Sequence, residues 1–470
     1  MSHEPVGAVQ SDRGAIPGPR GLEKVRLLGE LTKRPHECLL GLAATYGDIV
    51  RLSYPRETFV LLAKPEYVEH VLHHRHQNYD KDTPRWRTLR QIWGNGLLTA
   101  DGDVWRRQRQ RMQPAFHQDC MQRFGAMVVE EAQRMSQQWA ASASRGDVRD
   151  VYRDMLDCAV RALSRATFGS DIEGKTATII EALNEVNAYI NPMSVPNLLN
   201  LPLPVRRLIS PDFRRFQRAF EVINRIFDDI IGRRLKAGVD RTDLLGMIMY
   251  AKDEETSEKM TVEQLRDEMM IILMAGHETT GIAMAWSWYW MAKYPETERQ
   301  LHAEIDTVLA GRLPTYEDLG RLEYTKMVFQ ESMRLTPPIW GYDRRAREED
   351  RIDGYRIPRG AYIATSPYVM HRHPAYWERP DEFDPSRFLP EAVAKRPQYA
   401  FFPFGGGPRR CIGLRFAFLE AQLISATLAQ SFVVRPVEGH PVEASARLNL
   451  PPKYGLQMSV SARVPAAVTQ

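Results

Sequence analysis

Phe404-Gly405-Gly406-Gly407-Pro408-Arg409-Arg410-Cys411-Ile412-Gly413 is the stretch on which the reading of this chain turns. It stands directly before a helical pattern, about 413–432. Three glycines free the backbone for positive φ and for close approach to something flat, with no Cβ in the way. A cysteine next to a helix N-terminus has its thiolate stabilised by unpaired N–H groups and by the helix dipole. Such a sulfur is a nucleophile or a metal ligand. A nucleophile needs a base such as histidine beside it, and no local motif supplies one. For the cysteine alone, a Gly-rich turn around a buried thiol is an equal alternative; the ten-residue pattern as a whole speaks against it.

The surrounding chain of 470 residues has an ordinary globular composition, 43% hydrophobic and 26% charged. It has no Pro/Gly/Ser-rich linker, repeat or low-complexity tract. Residues 1–24 therefore read as an extended lead-in and 25–470 as a single large domain. The net charge of +4 is dispersed and does not point to nucleic acid. Cys38, Cys120 and Cys158 are far apart, without a C-x-x-C pair, which argues against a disulfide framework or a zinc site. They are expected to pack as small apolar residues. The longest apolar run, Met269 to Ala275, is too short to cross a bilayer. A soluble, cytoplasmic protein with no transmembrane anchor is the expectation.

The patterns predict a mainly α fold with small β-sheets. A hairpin is expected from Asp48–Leu52 and Thr58–Ala63, then a helix opened by Lys64-Pro65. The Trp- and Arg-rich stretch 78–98 reads as loop. The proline-rich stretch Asn191–Pro211 reads as a long loop before a helix to about Lys236. The strongest helix is 261–294, with Thr261 and Gln264 as a capping box and Pro295 as its stop. At that length, ~50 Å, it must run through the core. Helices follow at 295–310 and 322–335, a strand region at 354–366, and strand-like alternation at 433–463.

Three further constellations stand out. Ala275-Gly276-His277-Glu278-Thr279-Thr280 lies in the middle of the long helix. Glycine and two threonines are poor helix formers, tolerated where a backbone opens or meets a ligand. Thr279 shares a face with Ala275, so its hydroxyl can enter a cavity. The structural alternative is a surface-reaching Glu278 and a Thr279 bonded to its own helix carbonyl. Glu331 and Arg334, three apart, read by themselves as an ordinary surface pair. Trp105 and Arg109 share a helix face within a basic run that includes Arg106, Arg107 and Arg111.

In this order and spacing, the segments resemble the cytochrome P450 family across nearly the whole chain. The resemblance implies the P450 fold, with the long helix crossing a haem b held by the thiolate of Cys411. It implies that Phe404 packs on the thiolate side and that Gly413 lets the next helix lie close to the ring. Trp105, Arg109, Arg344 and Arg409 would serve the propionates. Glu278 and Thr279 would be the acid–alcohol pair that delivers protons during oxygen activation. Glu331, Arg334 and Arg387 resemble a structural Glu–Arg–Arg network, with Ser386 standing where the family usually has Glu.

The implied activity is insertion of one oxygen atom from dioxygen into a lipophilic substrate: a fatty acid, terpenoid, steroid-like compound or polyketide. No flavin, nicotinamide or iron–sulfur segment follows Phe432, so electrons are expected from a separate ferredoxin or flavodoxin with its reductase. Arg106, Arg107, Arg111 and Arg410 are a candidate docking face for it. Alternatives are a peroxide-driven peroxygenase on the same fold, a non-catalytic haem sensor or carrier, and a haem-free cysteine hydrolase. By resemblance, the pocket draws on Ile92–Leu98, 191–203, Ile272–Ala275, Pro338–Tyr342 and Leu448–Pro451.

Overall fold

Ile49–Ser53 and Thr58–Leu62 pair antiparallel, with Ile49 opposite Leu62 and Ser53 opposite Thr58. The computed structural model describes residues 14–53, 57–190, 211–238 and 242–463. Thr58–Leu62 next takes a parallel neighbour, Tyr362–Thr365, which requires a long crossover rather than a turn. Tyr342–Ala346 and Tyr79–Asp80 complete a five-stranded sheet. A separate hairpin, Asp350–Ile352 with Tyr355–Ile357, turns at Asp353-Gly354, both at positive φ, as two-residue hairpins favour. Strand structure thus starts at Tyr342, earlier than expected. Tyr-Asp-Arg-Arg-Ala lacks alternation, and partners distant in sequence make it a strand. The sheet buries Val60, Leu62, Ala346 and Ile363 with Val68, Tyr79 and Phe402.

The chain forms two compact units. The sheet belongs to the one built from residues up to Thr83, Gly341–Pro380 and Pro397–Arg410. The other comprises Pro84–Trp340, Asp381–Arg396 and Cys411–Gln470. The chain passes from one to the other at the Arg410–Cys411 peptide, inside the decisive motif.

The second unit is built on the central helix, Val262–Lys293. Its capping box forms as expected: Gln264 N–H donates to Thr261 Oγ1 at 3.2 Å and Thr261 N–H to Gln264 Oε1 at 3.0 Å. Pro295 opens the next helix, Pro295–Leu309. The central helix lies tightly on Val151–Phe168. A Cβ on Gly276 would stand 2.6 Å from Leu163 Cδ2, and one on Gly281 would stand 2.8 Å from Leu156. Leu414–Ala429 packs on Gln118–Arg145, with Phe416 edge-on to Phe124. The strands Val148–Asp150, Gln457–Ala462 and Phe432–Pro436 form a small sheet beside them.

The stretch 78–98, expected as loop, contains the helix Pro84–Trp93. Its buried residues Trp86, Leu89 and Trp93 keep helical spacing, masked in the sequence by the arginines between them. The expected loop at 191–210 lies outside the described residues. Among those described, no helix is long and apolar enough to cross a membrane.

Candidate active site

In the sheet-bearing unit, the glycine loop ends in a single 3₁₀ turn, Gly407–Arg409. Gly405 and Gly407 have φ of 69° and 62°, so side chains there are disfavoured on conformational grounds alone. A Cβ on Gly407 would lie 1.9 Å from the Leu72 carbonyl oxygen, and one on Gly406 would lie 2.3 Å from the Tyr399 ring. The Tyr399 hydroxyl accepts the Gly407 N–H at 3.1 Å. The glycines expected to face a flat ligand are therefore also required by the protein's own packing. Phe404 and Arg409 are half-buried. Arg344 is buried in the Tyr342–Ala346 strand, where its guanidinium donates to the Asp343 carbonyl at 2.8 Å.

In the helical unit, Cys411 precedes Leu414–Ala429, whose N-cap Gly413 supplies no side-chain hydrogen bond. Gly413 has an ordinary φ of −82°, and a Cβ there would meet Cys411 Sγ at a normal 3.9 Å. Nothing in its described surroundings demands a glycine. Cys411 is exposed, whereas the other three cysteines are buried. Burial pushes the Cys38 thiol up to about 11 and raises Cys120 and Cys158 as well, so those three are unreactive.

Arg109, on Gly102–Met112, is half-buried. Burial lowers its guanidinium, and the nearby Cys411 sulfur opposes that fall. The structure thus brings together Arg109 and Cys411, 302 residues apart by subtraction of their numbers. Trp105, one turn earlier, is also half-buried. The basic run divides. Arg111 is buried against Asp253 at 3.2 Å, and Arg106 is paired with Glu255 at 2.8 Å. Arg111 therefore cannot belong to a solvated docking face, and the Arg106 charge is largely spent.

On the central helix, Glu278 is buried rather than surface-reaching, and its Oε2 accepts a hydrogen bond from Asn449 Nδ2 at 2.8 Å. Thr279 Oγ1 donates to the Ala275 carbonyl at 2.7 Å, the arrangement posed as the alternative for this residue. A hydroxyl that has placed its proton keeps its lone pairs as acceptors. Close packing of Leu163 is sufficient reason for glycine at 276. Neighbouring His277 donates its Nδ1–H to Leu273 O at 2.6 Å and accepts at Nε2 from Asn187 Nδ2 at 3.4 Å, and burial lowers it to about 4, so it is neutral. Asn449 was not legible beforehand: no pattern links an amide 171 positions away to a helix carboxylate.

The Glu331–Arg334 pair, an ordinary surface pair by local spacing, has no exposure at all. Arg334 Nε and Nη2 donate to the two Glu331 oxygens at 2.7 and 2.8 Å, and Nη2 also reaches the Glu382 carbonyl. Arg387 approaches Glu331 Oε1 at 3.5 Å, while Asp384 N–H donates to the same oxygen at 2.9 Å. Ser386 turns instead to Asp384, 2.6 Å away. The cluster fixes where the segment after Asp381 runs.

Residues 16–458 match the family model for cytochrome P450. The chain is 35% identical to cyclooctatin synthase of Streptomyces melanosporofaciens over 424 residues, 89% of this chain and 90% of that protein. It is 33% identical to cyclooctat-9-en-7-ol 5-monooxygenase of the same organism, over 91% of this chain and 90% of that protein. The crystal structure of the cytochrome P450DA heme domain superposes with a TM-score of 0.86 at 27% identity, covering 96% of this chain and 98% of that one. The protein belongs to the cytochrome P450 family, and is a haem-dependent monooxygenase.

Proposed function

We propose that the protein binds haem b through the Cys411 thiolate and inserts one atom of dioxygen into a lipophilic substrate, most readily of the terpenoid class. The observation that carries the ligand assignment is Cys411 itself: the one exposed cysteine, at the start of a helix, beside Arg109. Among the described residues no three His, Cys, Asp or Glu side chains cluster as a metal site. A single cysteine thiolate would suffice to hold iron that arrives within a porphyrin. Trp105, Arg109, Arg344 and Arg409 would be the donors to its propionates, since buried carboxylates need paired cations or donors. Gly413 stands two residues after the sulfur, and Phe404 is the aromatic that the family resemblance assigns to the thiolate.

The bound haem supplies the oxygen chemistry, in which R–H, O₂, two electrons and two protons become R–OH and water. This chain's part is to position groups and manage protons. Glu278, oriented by Asn449, is the proton source; Thr279, its own proton committed to Ala275, presents an oxygen that accepts a hydrogen bond. The terpenoid reading is supported by relatives named for cyclooctatin and cyclooctat-9-en-7-ol. Electrons come from a separate ferredoxin or flavodoxin with its reductase, in a cytoplasmic setting.

The test is the ferrous–carbon monoxide difference spectrum of the purified protein beside Cys411→Ser. A red-shifted Soret band in the parent alone is expected. Haem bound without that band in the parent refutes the ligand assignment.

A further inference from the structure

Asp267 and Glu268 are two adjacent carboxylates on the central helix, outside every motif discussed above. Glu268 is fully buried, and both its oxygens lie 3.0 Å from the backbone N–H of Leu97. Asp267 Oδ2 accepts the N–H of Asn95 at 3.0 Å. The loop they hold is shaped for the contact. Gly94 has φ of 75°, and a Cβ there would collide with the Asp267 carboxyl at 2.1 Å. A Cβ on Gly96 would stand 2.6 Å from Ile271 Cδ1 and 3.1 Å from the Glu268 carboxyl. The loop's other side is secured independently: Gln108 Nε2 donates to Asn95 O at 3.0 Å, and Thr99 Oγ1 to Gly94 O at 2.7 Å.

Glu268, Ile272, Ala275 and Thr279 follow the spacing of one helix face. The clasped loop therefore covers the N-terminal part of the stripe that ends at the Thr279 hydroxyl. We infer that Glu268 determines substrate specificity as a clasp: by holding the Leu97 amide, it sets how close the Gly94–Leu98 loop stands to the Thr279 face. The inference rests on the monooxygenase reading above and names a positioning residue for that same site.

The clasp responds to protons. Burial pushes the Glu268 carboxyl up to about 8, against the pull of the Leu97 N–H, with Asp267 adding to the rise. Asp267 is raised by its own burial, opposed by the Asn95 N–H and Arg266, with Glu263 adding to the rise. Arg266 leans away to Asp228 on Pro211–Ala237. On the loop side, Arg90 of Pro84–Trp93 is committed to Thr99 O and Asp101. Among the described residues no cation pairs with Glu268. Burial makes the closed loop hold the Glu268 proton more tightly than water would, so ionisation favours release and the clasp loosens as pH rises through about 8.

The experiment compares haem-loaded parent, Glu268→Ala and Glu268→Gln proteins. Amide hydrogen exchange over residues 94–100, corrected for intrinsic rate, is read beside spectral titrations with imidazole and with bulkier 4-phenylimidazole. Glu268→Ala is expected to lose about tenfold of the protection at Leu97, the order of one buried hydrogen bond. It should also favour the bulkier azole relative to the parent. Between pH 6.5 and 9 the parent's preference should move toward the bulkier azole, while Glu268→Gln, which accepts a hydrogen bond but cannot ionise, should not share that movement. Comparing the proteins with the same pair of ligands cancels the azoles' own protonation. Unchanged Leu97 exchange, or the same pH trend in Glu268→Gln as in the parent, overturns the clasp when all three proteins give the thiolate-type carbon monoxide band. Lack of that band in the parent overturns the monooxygenase reading along with it.

Discussion

Removing the carboxylate of Glu331 should strip a fully buried cluster of its negative charge. Arg334 has no exposure, and Arg387 nearly none. In Glu331→Ala, Arg334 loses the two Glu331 oxygens while the Glu382 carbonyl stays in reach, and the Asp384 N–H loses its bond to Glu331. Breaking a buried pair by deleting one partner costs about 3–5 kcal/mol, because the surviving charge stays buried. Against a domain stability of roughly 5–15 kcal/mol, that is a third or more of the total. The assay is urea unfolding of the haem-loaded protein, followed by tryptophan fluorescence and by the Soret band, with the haem content measured as purified. The double variant Glu331→Leu/Arg334→Met should recover much of the loss, since well-packed apolar replacements of buried pairs are often neutral. A Glu331→Ala protein within about 1 kcal/mol of the parent, an ordinary surface effect, would refute the view that this cluster organises the segment around Asp381–Arg396.

Two shorter predictions follow from the central helix. His277 is held neutral, lowered to about 4 from an ordinary 6.5. Unfolded His277 gains its proton below 6.5 and the folded one does not, so this contribution to stability is complete above pH 6.5 and disappears as pH falls toward 4. Urea midpoints measured across that window should fall less steeply in His277→Gln than in the parent. Asn449→Leu removes the donor that orients Glu278. With a surrogate ferredoxin and reductase, the variant should keep its carbon monoxide band yet release several-fold more hydrogen peroxide per electron pair, read by a peroxide assay under steady reduction. Equal peroxide release would dissociate Asn449 from proton delivery.

The segments proposed to carry the chemistry stand out in the sequence because each is local. A glycine run before a helix, a capping box with a proline stop, and an acid–alcohol pair within a long apolar helix all act over one or two turns. The long helix came out within a residue of its predicted ends because Thr261, Gln264 and Pro295 mark its termini chemically. What the chain alone misrepresented were positions whose meaning depends on distant partners. Glu331 and Arg334 have the spacing of a surface pair, and only burial by other segments makes them a charged core. The helix at Pro84–Trp93 was hidden because its arginines dilute the apolar pattern.

The glycines divide along the same line. Sequence pointed to positive φ along Gly405 to Gly407; the fold uses it at Gly405 and Gly407 and leaves Gly406 extended, while tertiary structure decided that Gly407 is required by the Leu72 backbone, Gly276 by Leu163, Gly94 by the Asp267 carboxyl and Gly96 chiefly by Ile271. Cysteine identity determined that four thiols exist. Packing decided that three are buried, with raised pKa values, and that Cys411 is left exposed beside Arg109. Local pattern specifies which residues can carry the chemistry. Which of them do is set by burial and by contacts over hundreds of residues, because desolvation and hydrogen bonding act through space and not along the chain.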